Sequence, residues 1–588
     1  MLEYTEFSAP LLRHPLVPAG QIHTAADPDG CYPYESYVET GERPGLQAHR
    51  FVALENDQLR VLICPDLGGR VHSLIDKRTG QETLFVPASI RPARILPRFA
   101  FVPGGLEVSF PISHTPVQIE PVHARTERVG ERVYVWTGER ELRGGLQWTV
   151  EFSLGAGDGF LTQRAFFRNP TARPQPWMSW SNAALPARPD TEFHFPNGPV
   201  LAHGDCVRTI RWPDEGVRCV RDLDRMTGFF WLEPDAAAFG AFTPSLGHGL
   251  YHVADAREVP GMKLWSYGLG RHEAWGSVGS LHGEAYVEIQ AGPVKDQSVR
   301  SLLAPGETQT HTEFWLPSAE LLDIHRLARP QVRPVEPGRV PWFSWAPRAA
   351  VGFWLRVHQA HSANSAAQLP DTPPVGDNCW APSGMDELGP ALDWAIQITS
   401  GALRDSWRFQ KGAWLAGRGD FSRALAVLAE SADDRAQALA GRLHLRCFQQ
   451  PAAAVACFAR IASPEVALHP QVVVERDLAL AALGTPALAE RERWLTRVAS
   501  STDDWLRERR VALLADQGRP AEGLALLEGL PFQKVHQRYA RTELWRRLRA
   551  AAGTGDAAVP ESLGEDDLAQ FGAYRQFTPS KRLTGNGP

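Results

Sequence analysis

The chain has 588 residues, 43 % of them hydrophobic and 22 % charged, with a formal net charge of −6. That composition fits a globular protein of several domains, and the acidic balance argues against the basic surface a nucleic-acid binder needs. The amino terminus has no basic segment followed by an apolar run, no stretch is apolar over the span of a bilayer, and the seven cysteines show no Cys-x-x-Cys pair, so the expectation is a reducing, cytoplasmic setting with neither a membrane nor a nucleic-acid partner.

Residues 1–325 carry short β-like runs broken by Gly, Pro, Asp and Asn, such as RVLICPDLGG, RVYVWTGER, LQWTVEFSLGAGDGFL and KLWSYGLG. Strand signals alternate with turn signals and no long helical period intervenes, which predicts a large all-β domain of several sheets. Residues 326–390 are rich in proline yet hold Trp and Phe, which predicts an ordered connector packed on its neighbours, with helix around Ala350–Ser362. From residue 391 to 551 the composition turns to Ala, Leu, Arg and Glu at helical spacing. Turns recur near residues 419, 450, 484 and 518, close to the roughly 34-residue tetratricopeptide period. Stacked repeats of this kind either present a concave surface to a protein partner or a second copy, or only buttress the β domain. Residues 552–588 read as an irregular tail.

Within the β region the stretch GEAYVEIQAGP places Glu288 between Val287 and Ile289. Strand alternation sends the two aliphatic residues to one face and Tyr286, Glu288 and Gln290 to the other, so the acid lines either a partly polar groove or a solvent-facing edge. FVPGGLEVSFPISHTP carries Glu107 and His114 behind a Gly-Gly pair that permits close backbone approach to a ligand. Arg70 follows Gly68–Gly69 and offers a fixed donor fork. Lys263 and Trp265 alternate onto one face, as a polar clamp and a stacking platform. RHEAWG supplies His272, Trp275 and a third acid, Glu273. The 19 tryptophans, most of them before residue 400, suit either core filling or stacking on sugar rings. The remaining histidines are scattered, so no metal site is expected, and no phosphate loop or dinucleotide fingerprint implies a cofactor.

Three segments carry a family resemblance. LICPDLGGRVHSLIDKRTGQE, AYVEIQAGP and LLAPGETQTHTEFWL resemble, in this order, the opening, the Leu-Glu-Thr-Gln segment and the closing strand pair of the aldose 1-epimerase (galactose mutarotase) superfamily. Together with PGGLEVSFP, WSNAALP and the repeat tail, the chain resembles the DUF5107 family. The resemblance implies a galactose mutarotase-like β-supersandwich followed by an α-helical tetratricopeptide-like solenoid, with a sugar groove. It also gives Glu288 the role of the mutarotase general base. The chain departs from that pattern where the superfamily has its two histidines. Met178 stands at one place and Pro103 at the other, before Gly104–Gly105.

The expectation is therefore a carbohydrate-active protein. The leading reading is a glycoside hydrolase that cleaves a small oligosaccharide with Glu107 and Glu288. Arg70, His114, Trp180, Asn182, Lys263, Trp265, Glu273 and Gln290 are the candidate substrate-binding residues. The alternatives are an aldose 1-epimerase with a substituted general acid, and a non-catalytic sugar-binding protein whose repeats hold a protein partner.

Overall fold

The computed structural model describes residues 2–20, 22, 32–95, 98–112, 114–203, 208–270, 273, 276–295, 301–371, 380–529, 538–555, 557–560 and 563. His272 and Trp275 lie outside them, as does most of the predicted tail.

Between Glu3 and Ser318 alternating runs build two large antiparallel sheets. The first has 12 strands among the described residues. Its middle runs Leu59–Cys64, Arg70–Asp76, Leu106–Ser109, Trp180–Pro186, Tyr286–Gly292, Gly261–Tyr267, Gly228–Trp231, Gly198–His203. The second has eight, from His123–Val129 through Leu161–Arg168 and Thr308–Ser318 to Glu192–His194. The sheets pack face to face. Val71, Leu106, Ala183, Leu264 and Ile289 from the first meet Val150, Phe152, Ala165, Phe167 and Trp315 from the second in one buried core. Strand period two then dictates that the alternate residues of the first sheet face away from the second.

The Gly68–Gly69 turn closes the hairpin of Leu59–Cys64 and Arg70–Asp76, with both residues at positive φ (69° and 75°). A Cβ on Gly69 would stand 2.7 Å from the Thr137 side chain, so the turn lies against the second sheet too closely for any other residue.

The proline-rich stretch after Ser318 is ordered against the outer face of the second sheet. Val340, Trp342 and Phe343 cover Tyr134, Trp136 and Phe166. The predicted helix is present as Ala349–Ser362. Helices then follow in pairs, among them Gly401–Gly417 with Phe421–Ala429, Asp434–Arg446 with Pro451–Ala459, Pro470–Ala482 with Leu488–Arg497, and Asp504–Asp516 with Pro520–Glu528. The turns between them fall at the predicted places, with positive φ at Gly419, Gln449, Gly484 and Gly518. No described helix is long and apolar enough to cross a membrane.

Sandwich and helices share a core. Trp354, Met385 and Trp407 belong to the same buried cluster as Leu142, Leu146 and Trp148 of the second sheet's hairpin. Ser383 Oγ donates to the Arg143 carbonyl at 2.7 Å, and the Ala381 N–H donates to Gln410 Oε1 at 2.9 Å. The amino-terminal arm reaches the repeats too. His469 Nε2 donates to the Ala19 carbonyl at 2.8 Å, and Ile22 is buried against Phe458 and Val472.

Candidate active site

The outward face of the first sheet carries a polar row in strict register. Glu107 pairs with Asn182, Asn182 with Gln290, and Gln290 with Lys263. Leu106 pairs with Val71, which sets Arg70 beside Glu107. One step along the strands a second row runs Ala184, Glu288, Trp265, Gly228 and His203. Residues from 70 to 290 thus meet on seven neighbouring strands, and Glu107 and Glu288 share one face with a single strand between them.

This face is covered rather than washed by solvent. Glu107 and Glu288 are each 5 % exposed, and Arg70, Asn182, Lys263 and Gln290 are buried. An ionised carboxylate there needs partners. Glu107 has them: the Thr115 N–H donates to Oε1 at 2.7 Å, His114 Nδ1 meets Oε2 at 3.1 Å, and Asn182 Nδ2 donates to Oε2 at 3.3 Å. Burial alone would raise its pKa. The charge and hydrogen bond of His114, the Arg70 guanidinium and the Thr115 N–H outweigh that and hold it below the usual carboxylate range.

Glu288 is placed otherwise. Gln290 Nε2 donates to its Oε2 at 2.5 Å. Burial raises its pKa and outweighs the pull of His114 and Lys263, while a smaller repulsion from Glu107 adds to the rise and the Gln290 hydrogen bond opposes it. Lys263 lies with Nζ 4.7 Å from the Phe230 ring centre and 5.3 Å from that of Trp265. Its burial lowers the ammonium pKa to about 8 against the attraction of Glu288.

Arg70 is committed to shaping the loop above. It donates to the carbonyls of Val102 and Gly104 at 2.9 and 3.0 Å, and to Gln118 Oε1 at 3.0 Å. His114 closes the Glu107 end, edge-on to Phe101 with ring centres 4.8 Å apart. At the other end His203 stacks on Trp265 at 5.5 Å and on Phe230 at 5.3 Å. Gly228 makes room for it, since a Cβ there would stand 2.1 Å from His203 Nε2. Burial and the neighbouring Lys263 lower the His203 pKa well below the ordinary value, so the ring is neutral. A wall of Phe85, Tyr286 and Tyr267, stacked with ring centres 5.1 Å apart in each step, borders Glu288.

Two sequence expectations need correction. Trp180 is on the right face but fully buried, packed with Met178, Phe230 and Val294 over Gly261 and Gly292, so it fills the floor and offers no stacking surface. Glu273 is exposed and stands outside the two rows. Trp265 is partly exposed and stands in the second row, opposite Glu288. Sequence reading missed His203, Thr115 and Tyr267. Only Tyr267 left a trace there, two positions from Trp265 in the same alternation.

The family model of a domain of unknown function, DUF5107, matches residues 26–318, and a second model, described as a C-terminal domain, matches residues 354–548. The crystal structure of a TPR-domain containing protein from Parabacteroides distasonis ATCC 8503 is 47 % identical with a TM-score of 0.91, covering 96 % of this chain and 98 % of that one. A galactose mutarotase-like protein from Clostridium acetobutylicum is 13 % identical with a TM-score of 0.35, over 46 % of this chain and 95 % of that one. One from Lactobacillus casei ATCC 334 gives the same identity and score over 46 % of this chain and 100 % of its own.

Proposed function

The chain belongs to the DUF5107 family, with a galactose mutarotase-like β-supersandwich ahead of tetratricopeptide-like helices, and for this member we propose a glycoside hydrolase that works with Glu288 as acid and Glu107 as base. The observation that supports this reading is the opposite displacement of the two carboxyls on one enclosed face, Glu107 downward and Glu288 upward. Two acids whose surroundings push their pKa values apart are a proton donor and a proton acceptor at the same pH.

In this reading Glu288 protonates the leaving oxygen. Gln290 occupies its Oε2, which leaves Oε1 to carry the proton. Glu107 stays ionised and takes a proton from the attacking water, while His114 and the Thr115 N–H keep it charged and aimed. The register sets two strand spacings and two residues between the acids, roughly 12 Å between Cα atoms. That span leaves room for a water between the carboxyls, so the expected outcome is inversion at the anomeric carbon. Trp265 gives a sugar ring an apolar face to lie on. The helical repeats in this proposal buttress the sandwich and leave their outer surface to a protein partner or a second copy.

Proton NMR of the protein with a panel of oligosaccharides and freshly dissolved single-anomer monosaccharides tests the reading. New reducing-end signals, inverted in the first-formed anomer and lost in Glu107→Gln and Glu288→Gln, are the expected result. Faster anomer equilibration without cleavage would instead establish an aldose 1-epimerase. Line broadening with neither change would leave a sugar-binding protein.

A further inference from the structure

Between the two acids lie Asn182 and Gln290, 4 % and 2 % exposed and directly opposite each other on adjacent strands. Each amide has one end engaged. Asn182 turns its NH2 to Glu107 Oε2, and Gln290 turns its NH2 to Glu288 Oε2. An ionised carboxylate accepts and cannot donate, so the nitrogen of Asn182 must face Glu107, and its carbonyl oxygen is thereby turned away. The other ends are open: among the described residues neither Asn182 Oδ1 nor Gln290 Oε1 has a hydrogen-bond donor, and both atoms are sealed from solvent. A buried acceptor without a donor has lost its water and gained nothing in return. Two such acceptors side by side, between two acids, mark a place where a ligand brings the donors.

Resting on the glycosidase reading, we propose that Asn182 and Gln290 read a pair of hydroxyl groups on one sugar ring, each carbonyl accepting from one hydroxyl. Residues opposed across adjacent strands have Cβ atoms about 5 Å apart, a spacing two converging amides close onto neighbouring hydroxyls of a pyranose. The substrate class is thus a glycoside whose reacting ring carries two free adjacent hydroxyls. Rings deoxygenated, methylated or acylated at either place are refused, because the facing carbonyl would stay buried without a donor. The arrangement also ties recognition to chemistry, since the amide that holds each hydroxyl holds a carboxylate with its other end.

Saturation-transfer NMR with a panel of free aldopyranoses, followed by the monodeoxy forms of the sugar that binds best, tests this on the full-length protein without requiring turnover. The wild-type protein is expected to lose roughly tenfold to hundredfold in affinity for two monodeoxy forms, at adjacent ring carbons, and little for the rest. Gln290→Met and Asn182→Ala are each expected to weaken the parent sugar and to leave one of those two deoxy forms unaffected, a different one for each variant. Equal binding of every deoxy form by the wild-type protein would overturn the hydroxyl pair and leave the glycosidase reading standing. So would variants that weaken all sugars alike. A wild-type protein that binds no sugar of the panel would sink both.

Discussion

Glu107 and Glu288 are the same side chain held in different company. Catalysis in the proposed sense needs Glu107 ionised and Glu288 protonated. Activity should therefore fall as pH drops through the lowered pKa of Glu107 and as pH rises through the raised pKa of Glu288, giving a bell in kcat/KM against pH. Either Glu107→Gln or Glu288→Gln should cost about 10³-fold in turnover while leaving the melting temperature near that of the wild-type protein. Lys263 supplies a finer check. Its charge lowers the pKa of Glu288, so Lys263→Met should move the alkaline limb to higher pH and leave the acid limb in place. An alkaline limb that stayed put would remove Lys263 from the electrostatics of the acid. Period two in the sequence was enough to put Glu288, Gln290 and Tyr286 on one face. It could not tell a platform from a floor, which is why Trp180 read as a sugar contact: burial of that ring depends on Phe230 and Val294, far away in the chain.

The strands position the site only because the loops above them can close. Gly105 illustrates this. Its φ is +68°, and a Cβ there would stand 2.4 Å from the Val71 carbonyl oxygen, a backbone atom that cannot yield. Gly105→Ala should destabilise the fold by about 2 kcal/mol or more, read from the denaturant midpoint, and should lower activity as Glu107 shifts with its strand. A midpoint unchanged within error would mean the loop above Val71 is free to move aside. The Gly104–Gly105 pair read in the sequence as room for a ligand, whereas Gly105 lies against the Val71 carbonyl; the helical turns near 419, 450, 484 and 518 were legible from periodicity. The partners of the loops were not. Thr115 reaches Glu107 and Arg70 reaches Gly104 through tertiary closure, which leaves no local pattern.

The molecule is held from inside by a second acid system. Glu313, within the sandwich, accepts from Ser181 Oγ at 2.7 Å, Gln163 Nε2 at 2.9 Å, His252 Nε2 at 3.0 Å and His311 Nε2 at 3.1 Å. Burial alone would raise its pKa, but these histidines hold it at about 2, below the ordinary 4.5. A depressed carboxylate stabilises the fold fully above its unfolded pKa, and that contribution, about 3 kcal/mol, is lost as pH falls through 4.5 toward 2. Glu313→Gln should flatten the acid arm of the melting curve against pH; an unchanged arm would assign acid unfolding elsewhere. Ser181 is the strand neighbour of Asn182, so this network anchors the floor of the site from behind. The core shared with the helices makes a separate claim. Removing residues 349–588 would strip Trp354, Met385 and Trp407 from the sandwich hairpin around Leu142–Trp148. The remaining β domain should aggregate or melt well below the full chain, and a soluble, equally stable fragment would show the helices to be an independent appendage. The sequence showed that a β part precedes a helical part, but their common core depends on Trp and Met pairs with no periodic signal.

One enclosed sheet face displaces the pKa values of two glutamates in opposite directions, Glu107 downward and Glu288 upward. The direct measurement is a carbon-13 NMR titration of the side-chain carboxyls in glutamate-labelled protein, with Glu107→Gln and Glu288→Gln assigning the two resonances. Glu107 titrating below the ordinary glutamate range and Glu288 above it would bear the account out. Two ordinary titrations, or the reverse order, would contradict it.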